Sequence, residues 1–253
     1  MRPDLTALRD QIRAIETQDR PTLACLPTGA LGLDQALGGG LALGGVTELV
    51  PAAFMDEAAN LHFALACLAG ALKQRPGDLV VIEDASRGHN SWGRLYGPGL
   101  QKLGLCAGRI LIVRAPDVKS FHACLEDAAR TIGLAGILAM AGPKAGFGLA
   151  GARRVQLAAE QAHSLVLLVQ GLRTPAFAPA RARLVVASRP CRPVALGTAL
   201  PGLGPPAWRL QLERTRHGAR PQSFDLEYDD ATHSLYQPAT LADRSSEPHY
   251  RFG

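Results

Sequence analysis

Residues 27–50 read PTGALGLDQALGGGLALGGVTELV, and residues 51–59 continue PAAFMDEAA. The apolar, β-branched run Val46-Thr47-Glu48-Leu49-Val50 predicts a strand, and the alanine-rich stretch after Glu57 predicts a helix. A strand, a tight connection and a helix in that order form the setting of a phosphate-binding loop. Such a loop needs glycines so that backbone N–H groups can surround phosphate, a Lys for the terminal phosphates and a hydroxyl for magnesium. Counted from the strand, Asp56 stands where Gly belongs, Glu57 where Lys belongs and Ala58 where the hydroxyl belongs. Two carboxylates facing a polyphosphate repel it. The setting is present and the phosphate chemistry is not.

Working outward, short apolar strands alternate with helical stretches. Strands are predicted at Leu79–Glu83, Ile110–Val113, Gly136–Met140 and Leu165–Val169, with helices at about residues 57–74, 92–103, 117–132 and 149–162 between them. Continuous apolar strands separated by helices predict an α/β fold, with a mostly parallel sheet covered by helices on both faces. Gly38-Gly39-Gly40 stops a short helix over Thr28–Leu37. Asp117 is the expected N-cap of the fourth helix, whose apolar stripe carries His122 as a satisfied, half-buried side chain. Past residue 170 the pattern changes. Residues 171–181 (GLRTPAFAPAR) form a loop, and Arg183–Ser188, Trp208–Arg214 and Ser223–Tyr228 alternate as strands of an antiparallel C-terminal extension. The domain reading is an N-terminal amphipathic helix at 1–22, a core at 23–200, a β-hairpin extension at 201–236 and a weakly ordered tail at 237–253.

Composition sets the class. With 47% hydrophobic and 19% charged residues, the chain can bury a core. Five widely spaced cysteines form no CxxC pair, so neither a disulfide framework nor a zinc site is expected, and a reducing cytoplasm fits best. The start carries no signal-peptide pattern, and the apolar run Ala58–Leu72 is too short to cross a bilayer. Leu5, Leu8, Ile12 and Ile15 share one helical face near the N-terminus; that helix either folds back on its own core or docks on another chain, which leaves a homo-oligomer open.

Charge is uneven. Residues 171–222 hold nine Arg and one acid, a local +8, whereas residues 223–253 carry a net −4. Arg153-Arg154 open a helix after a Gly-rich segment, and Arg173, Arg181 and Arg183 flank the 171–181 loop. Arginine forks suit DNA phosphates and protein carboxylates equally, and an arginine-rich surface without a specific partner is the plain alternative. No aromatic row exists to stack bases, so any DNA binding is expected to be weak and salt-sensitive. Replacing Arg173, Arg181 and Arg183 by Ala is expected to spare folding and weaken a partner or DNA contact. No catalytic constellation emerges. The Gly136–Met140 strand ends without an acid, Gly-x-Ser-x-Gly and His-Glu-x-x-His are absent, and neither metal nor cofactor is expected. Glu83 and Asp84 close one strand without a phosphate site to serve, and Asp229-Asp230 reads as a solvated turn. Asp56 and Glu57 read as caps on the positive end of their helix.

The opening stretch resembles the entry to the first core strand of RecA-type recombinases. Together with LYGPGLQKLGL before ILIVRAPD, RRVQLAAEQA, and GLGPPAWRLQLER with SFDLEYD, it resembles the ImuA family of RecA-related accessory proteins of inducible mutagenesis. These stretches spread over most of residues 26–229. The resemblance implies a RecA-like core and a non-catalytic adaptor of SOS mutagenesis. Its implied partners are an ImuB-type Y-family polymerase homologue and, through it, an error-prone replicative-type polymerase. RecA and DNA are further candidates. Arg153-Arg154 occupy the place of the first DNA-contacting loop of RecA-type proteins, and Arg173, Arg181 and Arg183 flank the second. The alternative is a SulA-type cell-division inhibitor that binds a tubulin-like GTPase; those proteins are shorter and lack the basic segment and the C-terminal hairpin.

Overall fold

The computed structural model describes residues 24–85, 94–172, 174–195, 197, 202–216 and 221–238. The N-terminal helix and nearly all of the tail expected from the sequence lie outside these residues. A two-stranded antiparallel ribbon, β1 (Cys25–Leu26) with β2 (Leu41–Ala42), brackets α1 (Leu31–Leu37). The helix stops at Gly38, whose φ of 81° is the left-handed conformation that a side chain disfavours. Gly40 is needed for a different reason: a Cβ there would stand 2.2 Å from the carbonyl oxygen of Leu26.

The remaining strands are β3 (Gly45–Pro51), β4 (Leu79–Asp84), β5 (Ile110–Ala115), β6 (Gly136–Met140), β7 (Leu165–Val169), β8 (Ala182–Arg189), β9 (Ala207–Thr215), β10 (Gln222–Asp229) and β11 (Ser234–Tyr236). They form one sheet in the order β11-β10-β9-β8-β3-β7-β6-β4-β5. From β8 to β5 every neighbouring pair is parallel; β9, β10 and β11 run antiparallel. The helices are α2 (Glu57–Gln74), α3 (Gly97–Lys102), α4 (Val118–Arg130) and α5 (Leu149–Ala162). The α/β class, the parallel core and the antiparallel C-terminal strands all match the sequence expectation.

One strand differs from its reading. The alternation of β8 assigned it to the antiparallel extension, yet β8 pairs parallel with β3 on one side and antiparallel with β9 on the other. Alternation reports that one face is buried, here Leu184 and Val186, and carries no information about the direction of the neighbour. The sheet reverses direction one strand later.

Two apolar layers sandwich the sheet. One holds Leu49, Phe63, Leu68, Leu138 and Leu167 beneath α1 and α2, and it continues without a break into Trp208, Leu226, Tyr228 and Leu235 of the antiparallel strands. The other holds Val46, Ile82, Ile137 and Leu168 beneath Phe121 of α4 and Val155 of α5. Helix α2 is apolar almost all round because the C-terminal strands cover the side that the parallel sheet leaves open. The Trp208 ring meets Phe63 edge-on at 5.7 Å, and its indole N–H donates to the Ala59 carbonyl at 3.0 Å. Helix α4 begins as expected, with Asp117 accepting the Ser120 N–H at 2.7 Å. His122 meets the Ala145 carbonyl at 3.2 Å and stacks on Phe147 at 4.0 Å. Among the described residues, no helix is long and apolar enough to cross a membrane.

Candidate functional site

The β3–α2 connection sits at the C-terminal ends of the parallel strands, where open α/β sheets place their ligand sites. Three of its backbone donors are engaged within the protein. The Ala52 N–H donates to the Val186 carbonyl at 2.9 Å, the Ala53 N–H to Asp56 Oδ2 at 3.1 Å, and the Asp56 N–H to the Ala53 carbonyl at 3.0 Å. The residues Phe54–Asp56 form a 3-10 turn, and the bulky side chains of Phe54 and Met55 point to solvent.

Asp56 is buried, and its carboxylate does not cap α2. Oδ1 accepts both the backbone N–H of Ser188 at 2.8 Å and its hydroxyl at 2.7 Å, tying the connection to the end of β8. The expectation that Asp56 caps the helix is thereby corrected: a donor pair on a neighbouring strand outcompetes the first turn. Glu57 keeps its place in the first turn of α2, buried, with its carboxylate beside Gly171 of the β7–β8 loop. Behind them Asn60 donates to the carbonyls of Leu49 and Gln170 at 3.2 and 3.4 Å. Ala58 opens onto an apolar groove of about 700 Å3 shared with Leu61, Leu65, Leu95, Leu100 and Leu103.

Four of the five arginines singled out from sequence lie among the described residues, and three of these four are held in ion pairs. Arg183 extends beneath the 171–181 loop to Glu48, the carboxylate in the middle of β3, and also bonds Glu213 at 2.8 Å. Glu48 is fully buried, and the same Oε1 accepts the Phe177 N–H at 2.9 Å. Burial alone would lower the Arg183 pKa; the bonds to Glu48 and Glu213 outweigh it, and the guanidinium stays above its usual range. Arg181 bonds Glu160 at 2.6 Å, with its stem over Gly45. Arg154 and Arg130 both bond Glu126, which holds that carboxyl below its ordinary value, the Arg154 hydrogen bond contributing most. Arg153 is exposed on α5. Arg173 lies outside the described residues.

The charge asymmetry of the sequence resolves in the same way. Arg209 and Arg189 bond Asp225 at 2.8 and 2.9 Å, Arg192 approaches Glu227 at 3.6 Å, and Arg214 donates to the Phe177 carbonyl at 2.9 Å. Asp225 is held below the usual carboxylate range by the Arg209 bond first, then by the charge of Arg189. The basic stretch and the acidic segment after it thus answer each other within one sheet. Asp229 caps its own turn, accepting the Ala231 N–H at 2.9 Å and the Thr232 hydroxyl at 2.6 Å.

Sequence reasoning missed Glu48, Glu160 and Ser188. A signal for Glu48 was present, because a Glu inside an otherwise apolar central strand requires a cation. Nothing local marked Ser188, since its role depends on strand pairing.

No family model matches the chain. A curated relative, Protein ImuA of Caulobacter vibrioides (strain NA1000 / CB15N), is 33% identical over 231 residues, spanning 85% of this chain and 90% of the relative. The chain belongs to the ImuA family. Protein ImuA of Caulobacter vibrioides strain ATCC 19089 / CIP 103742 / CB 15 matches to the same extent.

Proposed function

We propose that the protein is a non-catalytic adaptor of the ImuA/ImuB mutagenesis system. In this reading it supports translesion DNA synthesis by holding an ImuB-type polymerase homologue, and through it an error-prone replicative-type polymerase. The observation that carries the reading is the β3–α2 connection. The N–H groups of Ala52, Ala53 and Asp56, which a phosphate cradle would need, are bonded to protein acceptors, and the Asp56 carboxylate occupies their midst. A phosphate entering there would have to break the Ser188 tie and face two carboxylates. Conversion of an enzyme into a scaffold needs no new fold: the helices and strands that buried the core still do so, and their outer surfaces carry the new task.

Two measurements on the full chain test the proposal. Equilibrium binding and hydrolysis of Mg-ATP are expected to be undetectable for the wild type and for Glu57→Lys, because that substitution supplies neither glycines nor hydroxyl. Co-purification with the ImuB-type protein encoded in the same organism is expected to succeed without nucleotide. Turnover of ATP by either form would refute the non-catalytic half, and failure to bind the ImuB-type protein would refute the adaptor half.

A further inference from the structure

We propose that the outer face of α5 is the docking site for an acidic, amphipathic segment of the polymerase-homologue partner. Leu149, Arg153 and Leu157 follow one another at helical spacing along that face. Leu149 is 75% exposed and Leu157 is 44% exposed. They line a cleft of about 280 Å3 whose opposite wall is Ala178, Pro179 and Arg216. Its floor is Gln156, fixed by accepting the Val46 N–H at 3.2 Å and donating to Glu160 at 2.9 Å. The cleft therefore has a rigid base and apolar rims.

Charge decides the occupant. Arg153 has no carboxylate partner among the described residues, whereas Arg130, Arg154 and Arg181 each have one. Counting Arg130, Arg153, Arg154, Arg181 and Arg216 against Glu126 and Glu160, five positive charges face two negative ones, a local +3. Arginine is enriched at protein interfaces, and the exposed leucines beside it offer apolar area to bury. Nucleic acid fits less well, because the exposed leucines gain nothing from a sugar–phosphate backbone. The fitting ligand is a peptide segment that inserts an apolar side chain beside Leu149 and Leu157 and sets a carboxylate on Arg153.

This inference rests on the adaptor reading, and the experiment separates the two. Binding of the ImuB-type protein is measured by titration for the wild type and for Arg153→Glu, Arg153→Lys and Leu149→Ser, with thermal unfolding and a single-stranded oligonucleotide titration alongside. Both altered side chains lie on the surface, so unfolding temperatures should match the wild type. Arg153→Glu and Leu149→Ser should each weaken partner binding about tenfold or more, Arg153→Lys less, and Arg153→Glu should flatten the salt dependence. If the wild type binds and all three variants bind equally well, the docking site is wrong while the adaptor reading stands. If the wild type does not bind, both fall. Oligonucleotide binding that is lost in Arg153→Glu but kept in Leu149→Ser would assign the face to nucleic acid and overturn the proposal.

Discussion

Replacing Arg183 by Met should destabilise the fold heavily, and the structure sets the size. The Glu48 side chain is wholly inaccessible to solvent, and the Arg183 side chain is 17% exposed. Glu48 Oε1 takes the Phe177 N–H and the Arg183 guanidinium, while Oε2 has no hydrogen-bond partner among the described residues. Removing Arg183 leaves a carboxylate in the centre of the sheet with a single neutral donor. Deleting one member of a buried ion pair typically costs about 3–5 kcal/mol. Partial solvent access at the Arg183 end favours the lower figure, about 3 kcal/mol. For a chain of this size that corresponds to a drop of roughly 6–12 °C in unfolding temperature. Glu48→Gln should rescue much of the loss when combined with Arg183→Met, because the amide keeps the Phe177 bond without a charge. Differential scanning calorimetry and urea unfolding of the two single variants and the double variant form a mutant cycle. A single variant within about 1 kcal/mol of wild type would refute the argument, as would a double variant no better than Arg183→Met. The sequence alone led to the opposite expectation, that Arg183 could be removed without harm to folding.

Two further outcomes follow from the same geometry. Asp56→Ala strips acceptors from the Ser188 N–H, the Ser188 hydroxyl and the Ala53 N–H, and should cost about 2–3 kcal/mol. Ser188→Ala loses one bond of the three and should cost about 1 kcal/mol; equal effects in urea unfolding would contradict the tie between β8 and the connection. Burial lowers the His62 pKa, with Asp230 opposing weakly, beside the Trp208 ring at 5.4 Å. The folded state therefore binds this proton less readily than the unfolded state. Stability from this group is complete above the unfolded value near 6.5 and is lost as pH falls through the lower folded value. His62→Gln should flatten that part of the stability profile; an unchanged slope would remove His62 as its source.

The legible parts of the fold were those written in short-range pattern. The runs 79–82, 136–140 and 165–169 carry no polar side chain, because both faces are covered, and such runs have few alternatives. Gly38 and Asp117 end and start their helices by rules that involve only a few adjacent residues. The arginines were misjudged because a count of charge along the chain cannot see that Arg209 and Asp225, sixteen residues apart, face each other across paired strands. Likewise, Asp56 lies 132 residues before Ser188, and no local rule joins them.

The sequence by itself determined the α/β class, the order of the described elements and the residue types of the β3–α2 connection, since these depend on residue type and on periods of two or 3.6. Tertiary structure alone decided which charges are paired within the molecule and which stay exposed. The reason is physical: a guanidinium has the same charge in any sequence, but whether a carboxylate lies within reach depends on the sheet order that brings distant strands side by side.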